Sequence, residues 1–126
     1  MGYVHASIEI SNPRDSTLAP LNVKALVDTG ALMLCIPDHV RLQLKLEEAE
    51  KREVMTADGT RISVPYVGPV TIRFENRSCF VGALVLGDEV LLGVVPMEDM
   101  DLVVNPAKHE VTVNPDNPNF PLALVK

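Results

Sequence analysis

The feature that most constrains this chain is its punctuation. Short apolar stretches rich in β-branched residues are repeatedly cut by Gly, Pro, Asn or Asp. Stretches of that length suit strands, whereas a helix needs an apolar stripe sustained over roughly ten residues or more. An all-β chain with little helix is the expectation. Residues 3 to 10 alternate well enough for a half-buried strand, with a polar loop from Ser11 to Thr17 behind it. Lys24 to Val27 reads as a second strand. Pro37 and Asp38 mark a helix start, with Asp38 as N-cap, for a short helix across Val40 to Leu44. Glu53 to Thr56 and Arg61 to Pro65 flank Ala57-Asp58-Gly59-Thr60, and Asp-Gly between extended runs signals a projecting hairpin because both residues tolerate positive φ.

Val70 to Phe74 and Cys79 to Leu86 form another pair, after which Gly87-Asp88 turns the chain into Val90-Leu91-Leu92-Gly93. One helical turn is expected across Pro96 to Met100, then a hairpin from Leu102 to Val104 and Glu110 to Val113. The prolines and asparagines of Asn114 to Pro121 predict an extended, irregular segment. Phe120 to Val125 turns apolar again, which suggests docking onto a second subunit.

A length of 126 residues fits one domain, taken as 1–126 with 114–126 as its extended C-terminal tail. Eleven basic residues against seventeen acidic ones give a net charge of −6, and the basic ones form no stripe that could track phosphates, so no nucleic-acid partner is expected. Cys35 and Cys79 are far apart in apolar surroundings and read as buried free thiols. With no signal-peptide pattern and no apolar run near the roughly 20 residues that span a bilayer, no membrane association and a cytoplasmic setting are the default. Met1-Gly2 resembles the start of a myristoylation signal, but Ala6 stands where Ser or Thr is wanted. Asn76-Arg77-Ser78 is read as a chance glycosylation sequon.

No metal or other cofactor is expected, because His5, His39 and His109 share no ligand spacing with one another or with a Cys. Glu98, Asp99 and Asp101 read as a solvated turn, and the mixed charges from Glu47 to Glu53 as an exposed surface. Ser63 and Thr60 have no nearby His to activate them.

Chemistry concentrates in Ala25-Leu26-Val27-Asp28-Thr29-Gly30-Ala31, where a carboxylate leaves an apolar strand and is followed by a small hydroxyl residue and a turn-permitting glycine. Alone, Asp-Thr-Gly is equally a turn tripeptide. Together with the later Leu91-Leu92-Gly93 and the intervening Asp58-Gly59, the segment resembles the retropepsin-like aspartic proteases, the bacterial and archaeal relatives of retroviral proteases, over about 90 residues from Val23 to Val113.

The resemblance implies a closed β-barrel protomer of the retropepsin-like acid-protease type with one or two short helices. It implies an aspartic endopeptidase acting on an extended peptide or protein substrate. Asp28 would be the catalytic carboxylate, with Thr29 cross-bracing two loops, Gly30 lending its backbone to substrate and Ala31 completing the loop. Ala57, Asp58 and Gly59 would form the flap, and Leu91, Leu92 and Gly93 would support the loop from below. Because the mechanism needs two carboxylates and the chain has one such motif, the second would come from another copy in a C2 homodimer.

The chain departs from the retroviral pattern at Leu32 and Val94, which stand where an acidic residue and an Arg often pair, and this reads as an ion pair exchanged for an apolar contact. The flap also lacks the several glycines of retroviral ones. A non-catalytic dimerisation or peptide-binding module that retains the protease fold therefore stands as the alternative.

Overall fold

The computed structural model describes residues 3–125, so the Met1-Gly2 start lies outside them. The elements in chain order are β1 His5–Ser11, β2 Leu21–Val27, β3 Leu34–Ile36, α1 Asp38–Gln43, β4 Glu48–Met55, β5 Arg61–Phe74, β6 Arg77–Val85, β7 Leu91–Leu92, α2 Val94–Asp99, β8 Leu102–Asn105 and β9 Glu110–Val113. Six strands follow one another in the order β1-β2-β7-β3-β6-β5, and β5 returns to β1 through Glu9↔Arg73, Ile10↔Ile72 and Ser11↔Thr71. This return closes the sheet into a barrel, which removes its free edges. β4 lies outside the ring on the first half of β5, and β8 and β9 form a separate hairpin. The all-β architecture expected from the punctuation is observed, and so is the closed barrel with two short helices that the resemblance implies.

Alternation builds the core. On β1 the side chains of Ala6, Ile8 and Ile10 are buried while Ser7 faces out. Ala25, Leu34, Ile36, Val67, Val70, Ile72, Ala83 and Leu92 meet them inside. Each Ile or Leu withdrawn from water there contributes about 2 kcal/mol.

Four elements differ from expectation. β4 begins at Glu48, inside the run of charges, and not at Glu53. β5 is one strand of 14 residues, not two, and passes through Pro65 and Pro69. A register shift against β6 between Val67 and Val70, with Gly68 at φ 148°, makes the Gly-Pro signal a bulge within the strand instead of its end. The first half of β5 can then pair with β4 and the second with β1. Asp38 is not the cap of α1 but its first residue; Pro37 takes the N-cap position, with no side-chain cap bond, and its carbonyl accepts from Val40 and Arg41. α2 begins at Val94, two residues before Pro96, because the N–H groups of Val94 and Val95, which a helix start leaves without partners, are taken by the carbonyls of Ala31 and Leu32.

The tail is irregular, as its prolines require, yet it is firmly held. Asp101 is not a solvated acid. Its Oδ1 accepts from Asn114 Nδ2 at 3.1 Å, and its Oδ2 accepts from Asn117 Nδ2 at 2.8 Å and from the Leu122 N–H at 3.0 Å. Asn76 donates to the Pro118 carbonyl at 2.9 Å, and buried Arg77 donates to that of Asn117. These bonds, with the Arg77 charge, hold the Asp101 carboxyl below its usual range, the Leu122 N–H being the largest cause. Beyond them Leu124 and Val125 are 95% and 90% exposed. No helix among the described residues is long and apolar enough to cross a membrane.

Candidate active site

Asp28 takes its position from the sheet. Val27 pairs in parallel with Leu92, and the ladder runs one residue further, the Asp28 N–H donating to the Leu92 carbonyl at 3.1 Å. The chain then turns sharply. Ala31 N–H returns to the Asp28 carbonyl at 3.1 Å, and Gly30 N–H donates to Asp28 Oδ1 at 2.9 Å, which fixes the carboxylate against its own loop. Asp28 is half-buried, whereas Thr29 and Gly30 are exposed. No hydrogen bond of the Thr29 side chain occurs among the described residues of one protomer.

The loop rests on the segment after β7. Val94 N–H meets the Ala31 carbonyl at 2.9 Å and Val95 N–H meets that of Leu32 at 2.8 Å. Gly93 lies against the backbone of Leu32 and Met33, so close that a Cβ would fall 2.4 Å from the Met33 oxygen. Leu92 is fully buried in the main core. Leu91 differs: it turns to the opposite face of the sheet and packs in a second cluster. Leu32 is 66% exposed, so the expected apolar contact with Val94 is not what joins the two segments; main-chain hydrogen bonds do that.

The proposed flap residues sit at the tip of the β4–β5 hairpin. Thr56 N–H donates to the Thr60 carbonyl at 2.8 Å and Gly59 N–H to that of Thr56 at 2.9 Å, which encloses a three-residue loop of Ala57, Asp58 and Gly59. Only Gly59, at φ 87°, uses positive φ; Asp58 does not. The turn is therefore the longer, glycine-bulged kind and not the two-residue Asp-Gly type. Asp58 Oδ1 accepts from Thr56 Oγ1 at 2.5 Å and from Thr60 N–H at 3.0 Å. Those bonds, the Thr56 hydroxyl first, bring its carboxyl down to about 2.

Between the loop and this hairpin runs an apolar floor that reading the motifs did not single out. Cys35, Val64 and Leu84 are buried together, with Met33, Val54, Tyr66, Leu86 and Leu91 packed on them. The signal was present in β3, where Leu34, Cys35 and Ile36 are apolar at consecutive positions and must therefore fill both faces of the sheet. Burial raises the Cys35 thiol above its ordinary value, and the nearby Asp28 charge raises it further. At the outer end of the floor the Arg52 guanidinium stacks 3.7 Å from the centre of the Tyr66 ring. No group of three or more His, Cys, Asp or Glu side chains able to hold a metal occurs among the described residues.

A family model described as aspartyl protease matches residues 16–114. No curated protein matches the chain.

Proposed function

This chain belongs to the retropepsin-like aspartyl protease family, and we propose that it is an endopeptidase whose active site forms when two copies bring their Asp28 carboxylates together. The observation that carries this reading is the main-chain bracing of the Asp28 loop by Leu92, Gly93, Val94 and Val95, beside an apolar floor and a projecting hairpin. A carboxylate held this way needs no reorganisation to act.

Two carboxylates sharing a site do not both ionise readily, as is well characterised for this class, so one proton serves the pair. The ionised Asp28 takes a proton from a water while the protonated Asp28 of the second copy donates to the carbonyl oxygen of the peptide bond. The water oxygen bonds to the carbonyl carbon and a tetrahedral diol results. Its collapse breaks the C–N bond, with a proton passing to the leaving nitrogen. Gly30 offers backbone to the peptide, Thr29 braces the partner loop, and the hairpin tip at Ala57, Asp58 and Gly59 closes over the site and excludes water. The peptide lies as an added strand with alternate side chains on the apolar floor.

Residues 1–126 act as one domain in this reading, and the tail from 114 onward, with Phe120 80% and Leu122 59% exposed, supplies apolar surface for the second copy. Two buried free thiols suit a reducing, cytoplasmic setting.

The test compares the wild-type protein with Asp28→Asn on a synthetic peptide mixture read by mass spectrometry, alongside sedimentation equilibrium of both. Cleavage by the wild type alone, with both proteins folded and dimeric, is expected. Hydrolysis surviving in Asp28→Asn, or a wild type that stays monomeric at every concentration, sinks the reading. Peptides bound but returned intact at every pH would point instead to the binding module.

A further inference from the structure

We propose that the cleft continues past Met33 into a second groove that takes a bulky apolar side chain of the peptide several residues from the bond cut. This extended subsite deepens the endopeptidase reading above and rests on it.

A concavity of about 570 Å³ does not include Asp28. Met33, Tyr66, Phe80 and Val95 give it an apolar side of a size suited to one large side chain, while Arg14, Glu47 and Glu48 line the rest. Two of these residues also belong to the apolar floor beside Asp28: Met33 and Tyr66 pack on Cys35, Val64 and Leu84. Floor and groove thus share Met33 and Tyr66. Strand alternation explains why. Phe80, Gly82 and Leu84 point to the same face of β6, with Leu84 in the floor and the other two in the groove.

Gly82 shapes the passage. The Tyr66 ring lies directly over it, where a Cβ would fall 2.1 Å from the Tyr66 hydroxyl, so only glycine lets the ring settle onto β6. Arg52 fixes the ring from the other side, stacked 3.7 Å from its centre and with Nη1 3.8 Å from Met33 Sδ. Met33, Tyr66 and Arg52 form a low saddle between the two compartments. On the far side Phe80 is 73% exposed and Val95 43%, apolar surface that nothing in the protomer covers.

A peptide is the occupant the geometry favours. Met33, five residues after Asp28, itself lines the groove, so an extended chain leaving the Asp28 loop reaches the saddle within a few residues at about 3.3 Å per residue. The side chain delivered there is aromatic or large aliphatic, since Phe80, Val95 and Met33 offer it no hydrogen-bonding partner.

The experiment profiles cleavage of a synthetic library of random 14-residue peptides by the wild type and by Phe80→Ser. The wild type is expected to select a bulky apolar residue at a fixed position remote from the cut. Its preference for such peptides over versions truncated before that position, as a ratio of kcat/KM, is expected to fall about tenfold in Phe80→Ser. An unchanged selection profile overturns the groove. A second readout does not require catalysis: N-acetyl-phenylalaninamide titrated into Asp28→Asn should give saturable amide NMR shifts at Phe80, Gly82 and Val95, lost in Asp28→Asn/Phe80→Ser. If the wild type cuts no library peptide, the peptidase reading fails and the titration alone decides. Absent shifts, or shifts that follow protein concentration and so report a second copy in the groove, overturn the proposal.

Discussion

An ideal Cβ on Gly93 would lie 2.4 Å from the carbonyl oxygen of Met33 and 2.7 Å from both the Leu32 carbonyl carbon and the Met33 nitrogen. All three are backbone atoms, and none can swing aside. Gly93 has φ −89°, which any residue adopts, so the requirement is for space and not for conformational freedom. Gly93→Ala must push the Leu32–Met33 backbone off α2 and with it the loop that carries Asp28. The expected cost is about 1 to 3 kcal/mol. Thermal melting should fall by several degrees, and peptide hydrolysis should fall further than stability does. Melting equal to the wild type would mean that the loop gives way freely.

Asp101 anchors the tail through one carboxylate that accepts three N–H donors. An amide in its place keeps one acceptor oxygen and sets its own NH₂ against the remaining donors. Asp101→Asn should therefore release residues 114–122, seen as faster hydrogen exchange at the Leu122 amide and as new proteolytic cuts in the tail. Acid should do the same. Since the folded-state value of Asp101 is lowered, its contribution is complete above the unfolded carboxyl value of about 3.9 and is lost as pH falls through the folded one. The protection factor of the Leu122 amide, its exchange relative to an unstructured amide at the same pH, followed downward from pH 5 should fall only below about pH 4. A loss of protection already near neutrality would rule out Asp101 as the latch.

The same sign applies at the hairpin tip. Asp58, brought down to about 2 by Thr56 and Thr60, supports the turn fully above about pH 4 and gives up that support between there and about pH 2. Asp58→Ala should speed exchange of the Thr60 amide while leaving the thermal melting of the barrel in place, because the tip is exposed. Gly59→Ala meets open space but must hold φ 87°, a strain of about 1 to 2 kcal/mol for a residue with a Cβ. Both variants should loosen the proposed flap without unfolding the barrel. Unaltered exchange at Thr60 in Asp58→Ala would show that the main-chain bonds to Thr56 suffice.

What was legible in the sequence was local. The Asp28 loop, Leu91-Leu92-Gly93 and the hairpin around Asp58-Gly59 each carry their own spacing, the all-β character follows from strand punctuation, and the barrel is implied only by the resemblance those motifs carry. β4 was only half seen because Glu48 to Met55 contains no buried residue, so no alternation marks it against a run of surface charge. β5 was divided because Gly68-Pro69 is a stop signal in isolation and becomes a bulge only with β6 beside it. Asp101 reads as solvated in the sequence because its partners lie 13 to 21 residues downstream, a separation that no local pattern encodes. The apolar floor beside Asp28 is likewise assembled from β3, β4, β5, β6 and β7, and only the tertiary fold brings those side chains together.

The floor and the Asp28 carboxylate can be linked by a measurement on a third residue. Burial is the larger cause of the raised Cys35 thiol and the Asp28 charge the smaller, while Cys79, remote from the loop, is pushed up to about 12 by burial first and Asp99 second. Both thiols should react slowly with iodoacetamide in the native protein, since the thiolate is the nucleophile. Removing the charge in Asp28→Asn leaves burial untouched but lets the Cys35 value drop back toward the ordinary one. Cys35 alkylation at pH 8.5 should then quicken by about two- to threefold, with Cys79 unchanged as the internal control. Quantifying each site by mass spectrometry separates the two. Equal acceleration at both thiols would indicate a general loosening of the barrel, and no change at Cys35 would show that the Asp28 charge does not reach the floor on which substrate side chains are proposed to lie.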